Sequence, residues 1–201
     1  KLHHVYRALE ILAKENDFFR SQLYKNSEMV LNRHKRVLYY YCTNYYFEIE
    51  EADDFRKYGH SKENRPNPIV QMGLFMDADG IPLTFSLFNG NENEQPSMKP
   101  LEKKILSDFG MTKFIVCTDA GLSSTSNRVF NNTPNRKFVT TQPIKTLKGH
   151  LKDYCLDEDG WHLIRDKTEY KLSELDEIEN YEKTFYKDRW INEDGPEQHL
   201  V

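Results

Sequence analysis

Residues 37–42 read VLYYYC, a continuous run of apolar and aromatic side chains. A run of this kind, with no polar residue between the apolar ones, is typical of a central buried strand rather than of a half-exposed one. After Thr43 and Asn44, residues 45–49 predict either a second strand or a bent extension of the first. A second short apolar run, Phe114–Cys117, ends at Thr118-Asp119 and predicts another buried strand, with a carboxylate at its C-terminal end.

Further elements follow from local patterns. Residues 2–30 place apolar side chains three and four positions apart, which predicts two short helices with a break at Asn16-Asp17. Residues 69–76 and 81–88 flank Asp79-Gly80 and predict a β-hairpin. Pro96 can open a helix that ends near Gly110, and Lys137–Thr141 predicts one more short strand. If residues 37–49 form one element, the order is β-β-β-α-β-α-β.

The length and composition suit a single folded domain with an insertion. The chain has 201 residues, 38% of them hydrophobic and 13% aromatic, which excludes a disordered protein. We divide it into an N-terminal helical segment (residues 1–30), a core (31–142) and a β-rich insertion (143–201), where charged segments alternate with short strand-like runs. Residues 51–68 are polar, carry Gly59, Pro66 and Pro68, and predict a surface loop.

Charge and cysteine content narrow the function classes. A net charge of -4 and a pI near 6.0 count against a free-standing DNA-binding domain, although basic residues do cluster at 33–36, 57–65 and 145–152. The sequence contains neither a membrane-spanning apolar run nor a signal peptide, so we expect a soluble cytoplasmic chain without a membrane partner. The three cysteines lack CxxC spacing and predict reduced, mostly buried thiols.

Asp119 is the first candidate site residue. Open α/β sheets place their sites at the C-terminal ends of strands, where neighbouring strands bring side chains together. An aspartate at such a position is also a common helix cap or turn residue. Two magnesium ions need several carboxylates within a few ångströms, so one aspartate alone does not make a metal site.

Four segments together resemble the catalytic region of insertion-sequence transposases of the DDE class with a β-strand insertion. They are VLYYYCTNYYFEIE (37–50), YGHSKENRP (58–66), QMGLFMDADGIPLTFSLFNGNENE (71–94) and FIVCTDAGLSSTSN (114–127). The resemblance covers most of the chain in order. It implies an α/β, RNase H-like fold and a parent protein that cleaves and joins DNA, with insertion-sequence ends and target DNA as partners, two Mg²⁺ or Mn²⁺ ions and a possible homodimer.

The resemblance also implies which residues belong to the site. The first catalytic Asp of the family falls at Tyr41, just before Cys-Thr, and the second falls at Asp119, followed here by Ala-Gly-Leu. The third, a Glu on a helix after the insertion, is expected beyond Val201. A phenol with a pKa near 10 is neutral at pH 7 and offers one oxygen where a carboxylate offers two. We therefore expect this chain to be inactive and to bind no metal ion tightly.

The loop after Gly59 is the candidate DNA contact. His60, Ser61, Lys62 and Arg65 combine amine, hydroxyl and backbone donors of the kinds that bind phosphate, although a solvated crossover loop explains them equally well. Two other functions stay open. One is a non-catalytic, decayed or domesticated DNA-binding or assembly domain, and the other is an unrelated metal hydrolase that shares only the strand-end Asp.

Overall fold

The chain divides into two compact units. A computed structural model describes residues 1–193, 195 and 197–201. The first unit spans Lys1–Thr141 and the second spans Gln142–Val201.

Two helices begin the first unit, as predicted. Helix α1 spans Leu2–Lys14 and helix α2 spans Asn16–Val30. All residues of α1 are exposed, whereas α2 buries Ser21 and Tyr24. Its Arg20 donates a hydrogen bond to Thr84 Oγ1 over 2.9 Å. Helix α2 is therefore the part of this segment that packs on the sheet.

A mixed sheet of five strands forms the centre of the first unit. The elements that follow α2 are β1 (Val37–Tyr46), β2 (Ile69–Asp77), β3 (Pro82–Asn89), α3 (Met98–Asp108), β4 (Phe114–Thr118), α4 (Thr125–Phe130) and β5 (Arg136–Thr140). The strand order is β3-β2-β1-β4-β5. Strand β2 is antiparallel to both of its neighbours, and β4 is parallel to both β1 and β5. This order and these directions confirm the RNase H-like α/β fold and the predicted sequence of elements.

Strand β1 is one continuous strand, and it is only half buried. Leu38, Tyr40, Cys42 and Asn44 face the core, and the alternate residues are open to solvent: Tyr39 is 44%, Tyr41 45% and Tyr45 52% exposed. The prediction that this strand is buried was wrong for one of its two faces. The apolar run could not reveal this, because the tyrosines tolerate a half-exposed sheet face.

The core lies on one face of the sheet. Tyr24 of α2 and Ile105 of α3 pack there against Leu38, Phe75 and Phe114 from three different strands. The hydroxyl of Tyr40 shares a hydrogen bond of 2.6 Å with Ser97 Oγ, which joins β1 to the start of α3.

The β2–β3 hairpin turns at Gly80, whose φ is +75°. Below the turn, Arg33 Nε donates to Asp77 Oδ2 over 2.7 Å, with both side chains buried. Asp77 Oδ1 also accepts from the backbone N–H of Asp79 and of Ile81. One buried carboxylate therefore holds both the hairpin turn and the segment before β1.

The second unit contains short elements only. It holds helices α5 (Gly149–Leu156) and α6 (Glu177–Asn180) and the strands β6 (His162–Leu163), β7 (Phe185–Tyr186), β8 (Arg189–Ile191) and β9 (Gln198–Leu200). Strand β6 pairs with β7 and β8 with β9, both antiparallel. Lys187 Nζ donates to the carbonyls of Tyr154 and Asp157 at 3.0 Å each, which ties the β7 end to α5. None of the helices among the described residues is both long and apolar enough to cross a bilayer.

Candidate functional site

Tyr41 lies in the middle of β1, and Asp119 directly follows the C-terminal end of β4, the parallel neighbour of β1. The register pairs Val37 with Ile115 and Tyr39 with Cys117. The ladder ends there, and Tyr41 and Asp119 each stand two residues beyond its last pair. Because side chains alternate along a strand, Tyr41 belongs to the same sheet face as Tyr39. The parallel pairing of these two strands agrees with the RNase H-like fold that the sequence resemblance implies.

The carboxylate of Asp119 is exposed. Asp119 follows β4 in an extended conformation, with φ -78° and ψ 177°, and is the N-cap residue of a short 3₁₀ helix at Ala120–Leu122. Two hydrogen bonds hold Asp119 through its main-chain carbonyl, which accepts from the Thr140 hydroxyl at 3.1 Å and from Leu122 N at 3.3 Å. The position of Asp119 is therefore determined by its main chain.

Thr140 and Asn127 support this segment, and sequence reasoning assigned neither of them a role. Thr140 is the register partner of Thr118, whose hydroxyl donates to it over 3.0 Å. The buried Asn127 donates from Nδ2 to the carbonyls of Leu122 and Gln95, at 3.0 and 3.1 Å. Asn127 thus joins the Asp119 segment to the chain before α3. The threonines that end two successive predicted strands were the only sequence signal of this arrangement.

Lys62 lies against Tyr41. Its Nζ is 4.7 Å from the centre of the Tyr41 ring, donates a hydrogen bond to the Cys42 carbonyl and lies 3.5 Å from Glu94 Oε1. The loop that was predicted to contact DNA is therefore next to the first catalytic position of the resemblance. Glu94 was quoted within the resemblance but received no role, because only the fold brings it close to Lys62.

The remaining loop residues differ in exposure. Ser61 is buried and its Oγ accepts from Arg65 N at 3.2 Å, so its hydroxyl stabilises the loop from inside. His60 and Arg65 are exposed, and the Arg65 guanidinium lies 5.2 Å from the centre of the Tyr46 ring. The predicted DNA contact is thus compatible with the placement of His60 and Arg65. It is not compatible with a direct contact by the inward-facing Ser61 hydroxyl.

Three of the four side chains of the first basic cluster, residues 33–36, are paired with acids of the protein. Arg33 is buried against Asp77, His34 Nδ1 lies 2.8 Å from Asp79 Oδ1, and Lys35 pairs with Glu28. The hydrogen bond that its ring N–H donates to the Asp79 carboxylate raises the pKa of His34. These side chains are engaged with acids of the same unit, so they add little positive surface for a nucleic acid.

Metal ligands are scarce around position 41. Burial raises the pKa of both the Tyr40 hydroxyl and the Cys42 thiol, so both are neutral at pH 7. In the part of the chain that the structure describes, no three His, Cys, Asp or Glu side chains are grouped so that they could hold a metal ion. The thiols of Cys42, Cys117 and Cys155 are free, as predicted, although only Cys42 is fully buried.

The comparisons with known proteins add little. No protein-family model matches the chain, and no curated protein matches it. Among solved structures, the chain is similar to the crystal structure of the Mos1 mariner paired end complex with Mn, at 10% identity and a TM-score of 0.35. The match covers 62% of this chain and 41% of that chain, so it spans less than half of the solved chain.

Proposed function

We propose that this chain is a transposase-type RNase H-like domain whose catalytic site is incomplete at position 41, and that it contacts DNA without cleaving it. The parent activity implied by the sequence resemblance is DNA cleavage and strand transfer. This chain supplies one of the carboxylates for that chemistry, Asp119, and presents a phenol where the other strand should supply an acid.

The observation that carries the proposal is the placement of Tyr41 and Asp119. Each stands two residues beyond the last paired position of two adjacent parallel strands, and Asp119 directly follows its strand, at the end where α/β sheets carry their sites. Paired strands are about 4.8 Å apart, so two acids at these positions would share a cation. The resemblance selected the same two positions from sequence motifs alone.

The residues present do not fit a pair of divalent ions. Asp119 is a single carboxylate, the Tyr41 phenol offers one oxygen where a carboxylate offers two, and a lysine ammonium lies beside that ring. Two closely spaced cations repel each other unless several carboxylates neutralise them. We therefore derive no metal-dependent step for this chain.

DNA is proposed as the partner through the exposed part of the loop, His60 and Arg65. Both side chains are exposed, and the loop lies beside position 41, where a DNA strand would have to enter. The net charge of -4 opposes binding to a polyanion, so we expect weak affinity that decreases steeply with salt.

A second candidate function is a repurposed assembly domain that contacts other proteins and does not bind DNA through this loop. The observation that favours it is that Tyr41 and Lys62 together fill the space where a metal site would be. Both candidates predict no cleavage, and they differ in whether the loop binds DNA.

Fluorescence anisotropy with a labelled DNA duplex in EDTA tests the DNA part of the proposal. We expect metal-independent binding, and we expect Arg65→Ala to reduce the slope of log affinity against log salt by about 1. Lys103→Ala, which removes the same charge from an exposed position on α3, is the matched control and should leave the slope unchanged. An absence of salt-dependent binding, or equal effects of the two variants, would contradict this loop as the DNA contact.

A further inference from the structure

We propose that Lys62 is a built-in counter-cation of the site at position 41, which would pair with a carboxylate at that position before a metal ion could. This inference rests on the proposed function, because it concerns the same site. It adds that restoring the acid at position 41 is not sufficient to restore metal binding, since the chain already places a positive charge there.

Three contacts place the ammonium. Lys62 Nζ is 4.7 Å from the centre of the Tyr41 ring and 3.5 Å from Glu94 Oε1, and it donates to the main-chain carbonyl of Cys42. Its side chain is about one third exposed, at 34%. The charge is therefore shared between an aromatic face and a carbonyl in the middle of β1 and a carboxylate of the segment after β3.

The loop fixes the lysine from its main chain. The buried Asn44 on β1 accepts from Lys62 N at 3.2 Å and donates to the His60 carbonyl at 3.1 Å. The Lys57–Ile69 bridge joins the start of the loop to β2. An alanine Cβ at Gly59 would lie 2.0 Å from the Gly90 carbonyl oxygen, so the backbone there is closely packed. Lys62 is thus directed to position 41 by a segment that is held at several points.

The chemistry of an ammonium explains the expected competition. Lysine carries a compact point charge with three donors, and an acid that replaces the Tyr41 ring would lie within reach of it. A divalent ion at the same place would meet a like charge, which weakens its binding unless the lysine moves away. Neutralising Lys62 leaves Glu94 and the new acid without their cation, and this favours a metal ion in its place.

A double-mutant cycle without metal tests the pairing directly. Tyr41→Asp, Lys62→Met and their combination are compared by chemical denaturation in EDTA. Lys62→Met should raise the unfolding equilibrium constant more in the Tyr41→Asp background than in the unchanged chain. The two factors should differ about threefold or more. Lys103→Met is the control lysine and should show no such coupling. Additive effects of Tyr41→Asp and Lys62→Met would overturn the proposal.

A manganese titration by calorimetry tests the consequence. We expect the Tyr41→Asp/Lys62→Met protein to bind Mn²⁺ about tenfold or more tightly than Tyr41→Asp alone, because the competing charge is removed. Equal or weaker binding by the double variant would overturn the competition. Adding Asp119→Asn separates the two hypotheses. Binding that survives this change would contradict Asp119 as a ligand in the proposed function, while the stability cycle would still decide the role of Lys62.

Competitive lysine modification keeps the inference testable in the unchanged chain if the position 41 variants do not fold. Acetylation followed by mass spectrometry should label Lys62 about threefold or more slowly than the exposed Lys103, because its amine is engaged in three contacts. Equal labelling rates would contradict a fixed ammonium at the site.

Discussion

Asn131 donates a hydrogen bond from Nδ2 to Glu102 Oε2 over 2.9 Å, and both side chains are fully buried. Glu102 comes from α3, and Asn131 follows α4. Arg136 Nε of β5 lies 3.5 Å from the other oxygen, Glu102 Oε1. Burial raises the pKa of Glu102 to about 7, against the opposing effects of the Asn131 hydrogen bond and the Arg136 charge. Asn131 Oδ1 and Glu102 Oε1 both lack a hydrogen-bond partner among the described residues.

Glu102→Gln should change how stability depends on pH. A carboxyl whose pKa is raised on folding binds a proton more tightly in the folded state, so the unchanged protein loses stability as the pH rises from 4.5 to about 7. The loss amounts to about 3 kcal/mol of unfolding free energy and stays constant above pH 7. Glutamine keeps the shape of the side chain and cannot ionise. Above pH 7, Glu102→Gln should therefore be more stable than the unchanged protein by about 3 kcal/mol of unfolding free energy.

Urea denaturation of both proteins at pH 4.5 and pH 8 measures this effect. The exposed Glu63→Gln variant is the control and should follow the unchanged chain at both pH values. A difference between Glu102→Gln and the unchanged chain that is the same at both pH values would show that folding does not shift the pKa of Glu102.

Arg33→Met should strongly destabilise the first unit. The substitution leaves the Asp77 carboxylate buried without its cation, which typically costs about 3 to 5 kcal/mol. Asp77→Asn in the same protein removes the unpaired charge and keeps one oxygen for the hairpin N–H groups, so Arg33→Met/Asp77→Asn should be more stable than Arg33→Met. Denaturation midpoints decide this, and a double variant that is no more stable than Arg33→Met would contradict the buried pair.

Gly73→Ala should destabilise the sheet through Tyr40. An alanine Cβ at position 73 would lie 2.1 Å from the Tyr40 hydroxyl oxygen and 2.9 Å from the ring carbon that carries it. We expect a cost of about 1 to 3 kcal/mol, as for other overpacked cores, and a partial rescue by Tyr40→Phe, which removes the closest atom.

Gly90→Ala provides the contrast for that test. Its Cβ would meet the main-chain carbonyl oxygens of Ile69 at 2.3 Å and Lys57 at 2.5 Å, which no side-chain change can relieve. Thermal unfolding of Gly73→Ala and Gly90→Ala, each with and without Tyr40→Phe, measures the cost of each alanine and its rescue. Equal rescue of Gly73→Ala and Gly90→Ala by Tyr40→Phe would show that the Tyr40 contact is not the cause.

Local patterns were sufficient for the elements and for the strand-end aspartate. The hairpin over Asp79-Gly80 and the short strand that ends at Asp119 were predicted from alternation, turn residues and apolar runs within a few residues of each other. The parallel pairing of β1 with β4 required the sequence resemblance in addition. The elements depend on residues that are close in the sequence, so local patterns were sufficient to predict them. The strand pairing depends on the arrangement that the resemblance implies.

The contacts that a single sequence did not reveal join residues far apart in the chain. Arg33 looked like part of a basic surface cluster, yet it is buried against Asp77, 44 residues away. No local pattern indicated that Glu102 is buried, or that Lys62 lies over Tyr41, 21 residues before it. Charge pairing between distant residues depends on which faces of the helices, strands and loops pack together. Neither periodicity nor composition predicts that packing.

The most direct test of an incomplete catalytic site is nicking of supercoiled plasmid DNA in Mn²⁺ by the unchanged chain and by Asp119→Ala. Circular dichroism first establishes that both proteins are folded. We predict the same background rate of nicking for both, because a phenol at position 41 leaves Asp119 without the second carboxylate that a metal pair requires. Manganese-dependent nicking by the unchanged chain that Asp119→Ala abolishes would contradict this account.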